Sequence, residues 1–327
     1  MKYGLMTYED TYRGTNIGDY IQSLAAEQYL PQIDRFVNRE HLNEVQDRTI
    51  KLIMNGWFTH HPENWPPSES IDPLFVAFHI NAAHADKILT PQSIEYLKMH
   101  EPIGCRDKYT TDRLLKEGLN AYFSGCLTLT LDKKYRIEDK YRSEKIYIVD
   151  PLFNLYSFRE AFTSLRFLGA YLIKGRFLQS SKRAYILRHI ISNDILKKAS
   201  YRHHMLKPNN LSEDKRFEIA KNLLTEYAHS RCVITSRIHC ALPCLALGTP
   251  VIFIDSFTDD SNVSRIDGLR DLFNVVSIDL NSGKVVYSDV PLEDGKITEK
   301  SIIPNKNNYL KYAEALKVRA SKFIKNE

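Results

Sequence analysis

Apolar and polar positions along the chain follow two alternating rhythms. Short runs rich in β-branched and aromatic residues occur at Lys2–Thr7, Ile50–Asn55, Leu74–Ile80, Ile103–Cys105, Ala121–Leu131, Lys145–Val149, Cys232–Thr235, Val251–Ile254 and Val275–Leu280. Their length and β-branched content predict strands. Between them, apolar residues recur at helical spacing from Tyr20 to Tyr29, over Gln92–His100 and Thr110–Glu117, and again over Asp214–His229, Arg265–Phe273 and Tyr309–Ile324. Pro31 and Gly118 stop the first and third of these. Strands and helices in alternation predict an α/β protein built on parallel sheet.

The densest unit is Cys232–Ile254, a strand, a polar cluster, an apolar helix closed by Gly248, and a second strand after Pro250. Pro243 lies near enough to the start of that helix to be tolerated in a first turn. Asp132–Glu144 is almost wholly charged or polar and reads as a linker. The expected division is therefore residues 1–138 and 139–327. A length of 327 residues suits two domains of about 150 residues each.

Composition narrows the classes. Forty-five basic against 40 acidic residues give a formal charge of +5, too mild to predict nucleic-acid binding. No apolar run approaches membrane-spanning length, and the opening MKYGLMTYED has no leader pattern. The expectation is a soluble, cytoplasmic protein. Cys105, Cys126, Cys232, Cys240 and Cys244 form no CxxC pair, and the His60-His61 and His203-His204 pairs lack a third ligand at useful spacing, so no metal is assigned.

Chemistry concentrates at Ser236-Arg237-Ile238-His239. In parallel sheets, ligands bind beyond the carboxyl ends of strands, and a helix N-terminus there favours an anion. A fixed cation, an imidazole, a hydroxyl and unpaired amides thus meet where a phosphate or carboxylate can sit. Taken alone, such a cluster is more often a capped helix with a solvated Arg.

Three segments carry a resemblance. Asn16-Ile17-Gly18-Asp19 leads into a helix, Gly104-Cys105-Arg106-Asp107 precedes another, and Thr235-Ser236-Arg237-Ile238-His239 is followed by Gly248-Thr249-Pro250. In order and approximate spacing the chain resembles the polysaccharide pyruvyl transferases from about Met1 to Leu280. The resemblance implies two Rossmann-like domains in a GT-B-like architecture with a central cleft, the last helix packing back on the first domain. It also implies transfer of pyruvate from phosphoenolpyruvate to a sugar of a capsular or exopolysaccharide precursor, as a ketal, with no cofactor.

The residues suit that chemistry. Phosphoenolpyruvate carries two anionic groups, and Arg237 and Arg106 offer planar forks, with Ser236 and Ile238 beside them. Protonation of the enol carbon calls for a general acid, and His239 is the natural choice. Asp19 is the expected base for the attacking hydroxyl, at the tip of the first loop. Asp107 is expected to cap the Lys108–Glu117 helix. Asn16, Gly18, Asn55 and Trp57 are the expected acceptor-binding residues.

Two alternatives stay open: a GT-B glycosyltransferase using a nucleotide sugar, and a non-catalytic sugar- or anion-binding protein. An acidic ribose-binding residue among Asp255, Asp259 and Asp260 would favour the first. The basic and apolar stretch Phe158–His204 predicts peripheral contact with an anionic membrane surface on its cytoplasmic side, consistent with a polyprenyl-linked acceptor.

Overall fold

The computed structural model describes residues 2–11, 14–46, 49–158, 175–207, 211–256 and 264–326. The first part of the chain supplies β1 (Lys2–Thr7), β2 (Thr15–Asn16), β3 (Arg35–Asn38), β4 (Ile50–Phe58), β5 (Ile71–Ile80), β6 (Ile103–Cys105) and β7 (Ala121–Phe123). Six of these form a wholly parallel sheet in the order β3-β1-β4-β5-β6-β7. β4 and β5 are buried along nearly their whole length, as parallel strands covered on both faces must be.

The second part supplies β8 (Ile146–Val149), β9 (Ser200–Arg202), β10 (Met205–Leu206), β11 (Cys232–Thr235), β12 (Val251–Asp255), β13 (Asn274–Asp279) and β14 (Lys284–Ser288). These build a second sheet, β14-β13-β12-β11-β8-β9, parallel except for the β13–β14 pair. β2 and β10 pair antiparallel with each other and so join the two parts of the chain. Gly14, at φ +113, makes that approach possible, because a Cβ there would lie 1.8 Å from the Leu206 carbonyl oxygen. One apolar core runs from the first sheet to the Ile238–Leu247 helix, and a smaller one lies under the Arg176–Ile190 helix.

The C-terminal Leu310–Lys325 helix lies on the first sheet's side. Its Tyr312 ring stands 5.1 Å from Phe123, Arg319 donates to the Pro102 carbonyl at 2.6 Å, and Lys317 pairs with Asp132 at 2.7 Å.

Several expectations need correction. The Ala121–Leu131 run ends as strand at Phe123, where Ser124 bonds sideways to Cys105 and Gly125 takes φ +73. Leu127–Thr130 then forms a buried 3-10 turn, so its apolar residues pack without a ladder. Pro243 falls in the second turn of the Ile238–Leu247 helix, where it removes the amide that the His239 carbonyl would accept from. Arg265–Phe273 is not one helix: Arg265 and Ile266 are helical, a turn follows at 267–269, and a 3-10 turn occupies Arg270–Leu272. Within the polar Asp132–Glu144 stretch, Arg142 is fixed by bonds to the Ala228 and Leu247 carbonyls and to Thr249, each 2.6–2.7 Å. All five cysteines are buried free thiols. Of the Phe158–His204 stretch, residues 159–174 lie outside the described residues.

Candidate active site

In the second sheet the chain order reverses between β8 and β11, because β9 lies on one side of β8 and β11 on the other. Such a switch point opens a crevice beyond the strand ends. Asp150 follows β8 there, and Ser236 and Arg237 follow β11. Arg237 is the N-cap residue of the Ile238–Leu247 helix, and its amide donates to Thr235 Oγ1 at 2.9 Å. Its Nε donates to Asp150 Oδ2 at 3.1 Å, and its guanidinium lies over the Phe153 ring at 4.0 Å.

Asp150 also accepts from His203 Nδ1 at 2.7 Å and from the His204 amide at 3.0 Å. Those hydrogen bonds and the Arg237 charge hold its carboxyl well below the usual range despite burial. Arg237 is thereby held by one edge, leaving the rest of its fork for a ligand.

A cavity at this point is lined by residues from both parts of the chain, including Asn16, His204, Arg237, His239 and Arg265. Ser236 and Ile238 complete its floor. The Ser236 hydroxyl donates to the Ile254 carbonyl at 2.7 Å and accepts from the Leu152 amide at 2.9 Å. Its side chain is therefore structural, and the anion-facing groups here are the first-turn amides.

His239 is buried, and its Nε2 has no hydrogen-bond partner among the described residues. Burial, and then the positive charges of Arg106 and Arg265, push its imidazole well below the usual range. Both causes favour the neutral ring.

Arg106, beyond the end of β6, is fully buried. None of its three guanidinium nitrogens has a hydrogen-bond partner among the described residues, and its closest charge contact is Nε to Asp107 Oδ2 at 3.7 Å. Asp107 is engaged elsewhere: it caps the Lys108–Lys116 helix through Thr110 N at 2.9 Å and accepts from His79 Nδ1 at 2.5 Å. A buried guanidinium with an ion pair at 3.7 Å but no hydrogen bond is costly, and a bound anion is one way to satisfy it.

Gly18, from the first part of the chain, packs directly on this site. A Cβ there would stand 3.1 Å from His204 Nδ1 and 3.3 Å from the His239 Cβ. Asn16 lines the cavity while its Oδ1 caps the Ile17–Glu27 helix by accepting from Gly18 N at 3.2 Å. Asp19 lies in the first turn of that helix rather than at a loop tip, because Asn16 caps it and the helix begins at Ile17, three residues before the apolar spacing from Tyr20. Its carboxylate accepts from Gln22 Nε2 at 3.1 Å and stands 3.9 Å from Arg39.

The two remaining acceptor candidates fall apart. Asn55 is buried inside β4; its Nδ2 donates to the Gln22 carbonyl at 2.9 Å, and its Oδ1 has no hydrogen-bond partner among the described residues. Trp57 is half-buried, stacks near His60 with ring centres 4.4 Å apart, and shares the Arg39 guanidinium with Tyr8 at 5.0 and 4.9 Å.

Sequence reasoning missed Arg265, Asp150, His204 and Arg39. Arg265 lines the cavity and has no hydrogen bond or ion pair to a described residue. Burial and the Arg106 and Arg237 charges lower it to about 10, so it stays cationic at neutral pH. A signal was present: Ser236-Arg237-Ile238 beyond β11 recurs as Ser264-Arg265-Ile266 beyond β12. Asp255 is tied to Arg270 Nε at 2.7 Å, and Asp259 and Asp260 lie outside the described residues. Among the described residues, no three His, Cys, Asp or Glu side chains cluster so as to hold a metal ion.

Comparison with solved structures gives remote likeness. A functionally uncharacterised protein of Klebsiella pneumoniae is 13% identical, with 84% of this chain and 92% of that one covered and a TM-score of 0.40. A UDP-N-acetylglucosamine 2-epimerase is 11% identical, with 100% and 91% covered and a TM-score of 0.36. No curated protein matches the chain. The sequence model of the polysaccharide pyruvyl transferases matches residues 16–256, which take in Asn16, Arg106, Arg237 and His239 and stop short of Arg265. With three quarters of its length so matched, the chain belongs to the polysaccharide pyruvyl transferase family.

Proposed function

We propose that this protein takes pyruvate from phosphoenolpyruvate and installs it as a ketal on a sugar of a capsular or exopolysaccharide precursor. The observation that carries the reading is the fully buried Arg106, without hydrogen-bond partners among the described residues, whose charge is felt at Arg265 and His239. Two guanidinium groups lining the cavity with one imidazole, and a third close enough to act on that imidazole, suit a small donor with two anionic groups better than they suit a neutral sugar. In this reading the site lies in the cleft of a GT-B-like pair of domains, residues 1–138 and 139–327, and works without a cofactor.

The chemistry then runs as follows. Arg237, Arg265 and the first-turn amides of Ile238 and His239 hold the phosphate, and Arg106 holds the carboxylate. Burial comes first in holding His239 low and the cationic field second; the donor's anions offset that second part, so donor binding raises the imidazole's affinity for a proton. Protonated His239 delivers that proton to the enol CH2, which becomes a methyl group and leaves an oxocarbenium-like C2. One sugar hydroxyl adds to C2, losing its proton to Asp19. The C–O bond to phosphate breaks, and the second hydroxyl closes the ring, its proton passing to the departing phosphate. Phosphate leaves with the electron pair of that bond, stabilised by the arginines. Trp57 offers the sugar an apolar face, and the acceptor can be carried on a polyprenyl lipid.

The test is a thermal-shift comparison of phosphoenolpyruvate with UDP-sugars, followed by proton NMR for a ketal methyl singlet in turnover with oligosaccharide acceptors. The expected result is stabilisation by phosphoenolpyruvate alone. Stabilisation by UDP-sugars with none from phosphoenolpyruvate overturns the reading in favour of a glycosyltransferase.

A further inference from the structure

The Arg176–Ile190 helix carries four Lys or Arg residues and no acidic residue in RFLQSSKRAYILRHI. One face is fixed to the body of the protein. Ile186 and Ile190 enter the smaller core, Ser180 Oγ donates to the Tyr156 carbonyl at 3.0 Å, and buried Arg183 donates from Nε to the Pro151 carbonyl at 3.0 Å. The opposite face presents Phe177, Leu178, Lys182, Tyr185, Arg188 and His189. Phe177 and Leu178 are 51% and 72% exposed, and Phe158 packs edge-on against Phe177 with ring centres 5.6 Å apart. Among the described residues, the Asp279 carboxylate feels the Lys182 charge, and Asp194 lies at the start of the next helix. Lys197 and Lys198, also exposed, follow that Asp.

Single exposed apolar side chains need no explanation. Three that meet at one helix end, beside a face carrying only positive charge, do. We infer that this face docks the protein on an anionic lipid bilayer, with Phe158, Phe177 and Leu178 entering the headgroup boundary and Lys182 and Arg188 facing lipid phosphates. Charge complementarity favours an anionic partner. The small protruding apolar tip favours lipid over protein: a stable protein interface needs about 800 Å² on each side, whereas interfacial anchoring needs only a few inserted side chains and local charge. The helix is braced on the Asp150–Tyr156 segment, which holds Arg237 through Asp150 and Phe153, so docking also orients the candidate active site toward the membrane. Among the described residues no helix is long and apolar enough to cross a membrane, so the contact is peripheral.

Flotation of the full chain with phosphatidylglycerol–phosphatidylcholine vesicles, against phosphatidylcholine alone, tests this. The wild type floats with the anionic vesicles at low salt and is released at high salt. Lys182→Glu/Arg188→Glu lowers the partition at least about 30-fold, from roughly fivefold per basic residue. Phe177→Ser/Leu178→Ser lowers it at unchanged charge. Both variants keep the wild-type melting temperature and its shift with phosphoenolpyruvate, which separates this test from that of the donor. The inference is overturned by no flotation with anionic vesicles at low salt, by flotation indifferent to lipid charge, or by variants that float as well as the wild type. A variant that changes only the oligomeric state on gel filtration assigns the patch to a second copy and also overturns it.

Discussion

Replacing Arg106 by Met separates a residue kept for a ligand from one kept for the fold. The side chain is fully buried, has no hydrogen-bond partner among the described residues, and lies too far from Asp107, at 3.7 Å, for a hydrogen bond. Asp107 retains its bonds from His79 and Thr110 without it. Removing one partner of a buried ion pair costs about 3–5 kcal/mol, because the other charge is left behind, here Asp107 beside an imidazole that burial keeps low. Removal of the charge also relieves the field that depresses both His239 and Arg265, which offsets part of that cost. With an unfolding entropy of about 2.1 cal/mol/K per residue, this chain loses roughly 0.7 kcal/mol per degree at its midpoint. The expected fall in Tm is therefore up to about 4–7 °C for Arg106→Met, together with loss of the thermal shift produced by phosphoenolpyruvate. Differential scanning fluorimetry with and without the donor reads both. An intact donor shift, whatever the fall in Tm, means that Arg106 serves the fold alone, and the donor site must then be built without it.

Arg237→Ala should weaken phosphoenolpyruvate binding in calorimetry by about 30- to 1,000-fold through loss of a charge-assisted fork; unchanged affinity removes Arg237 from the site. His239→Gln should keep most of that affinity and slow single turnover by ~10²–10⁴, whereas a loss of binding with an intact rate assigns the ring to holding the anion. His79 and His239 predict acid sensitivity. Both imidazoles are held below their ordinary value, His79 at about 4, chiefly by burial, so the unfolded chain takes up protons that the folded chain refuses. Stability from His79 is complete above about pH 6.5 and is lost as pH falls toward 4. Tm measured from pH 7 to pH 4 should fall less steeply in His79→Gln, and an identical slope refutes the assignment.

What the sequence disclosed follows from where burial is two-sided. Cys232–Thr235 and Val251–Asp255 are central strands of a covered sheet, so their apolar runs are uninterrupted and their ends read correctly to within a residue. β9, β10 and β14 are short or at a sheet edge, and their partly exposed residues leave no such run. The Leu127–Thr130 segment is as apolar as a strand but is buried between helices, a distinction that composition does not carry. At the site, Arg237 and His239 are legible because strand, helix and cluster are contiguous. Arg265 and His204 come from segments whose proximity is created only by the fold, and His204 reaches the site through β10 pairing with β2. The Ser236 hydroxyl shows the reverse failure, since a residue type suited to phosphate is committed to two backbone partners.

The balance of charge explains why these residues tolerate one another. Arg106 lowers Arg265, and both lower His239, while Asp19 and Asp107 oppose them and Asp150 takes the edge of Arg237. The positive groups are in excess, and that excess adds to burial, the larger cause, in favouring the neutral imidazole. A neutral imidazole is a weak proton donor, so the unliganded site is poorly armed to protonate anything. A dianionic phosphate and a carboxylate reverse that excess, and the group most responsive near neutral pH is His239, because the guanidinium groups remain charged throughout. In the proposed reaction the acid is thus created by the donor it acts on. That order places the sensitivity of the first chemical step in Arg106 and Arg265, neither of which needs to touch the enol carbon to set its rate.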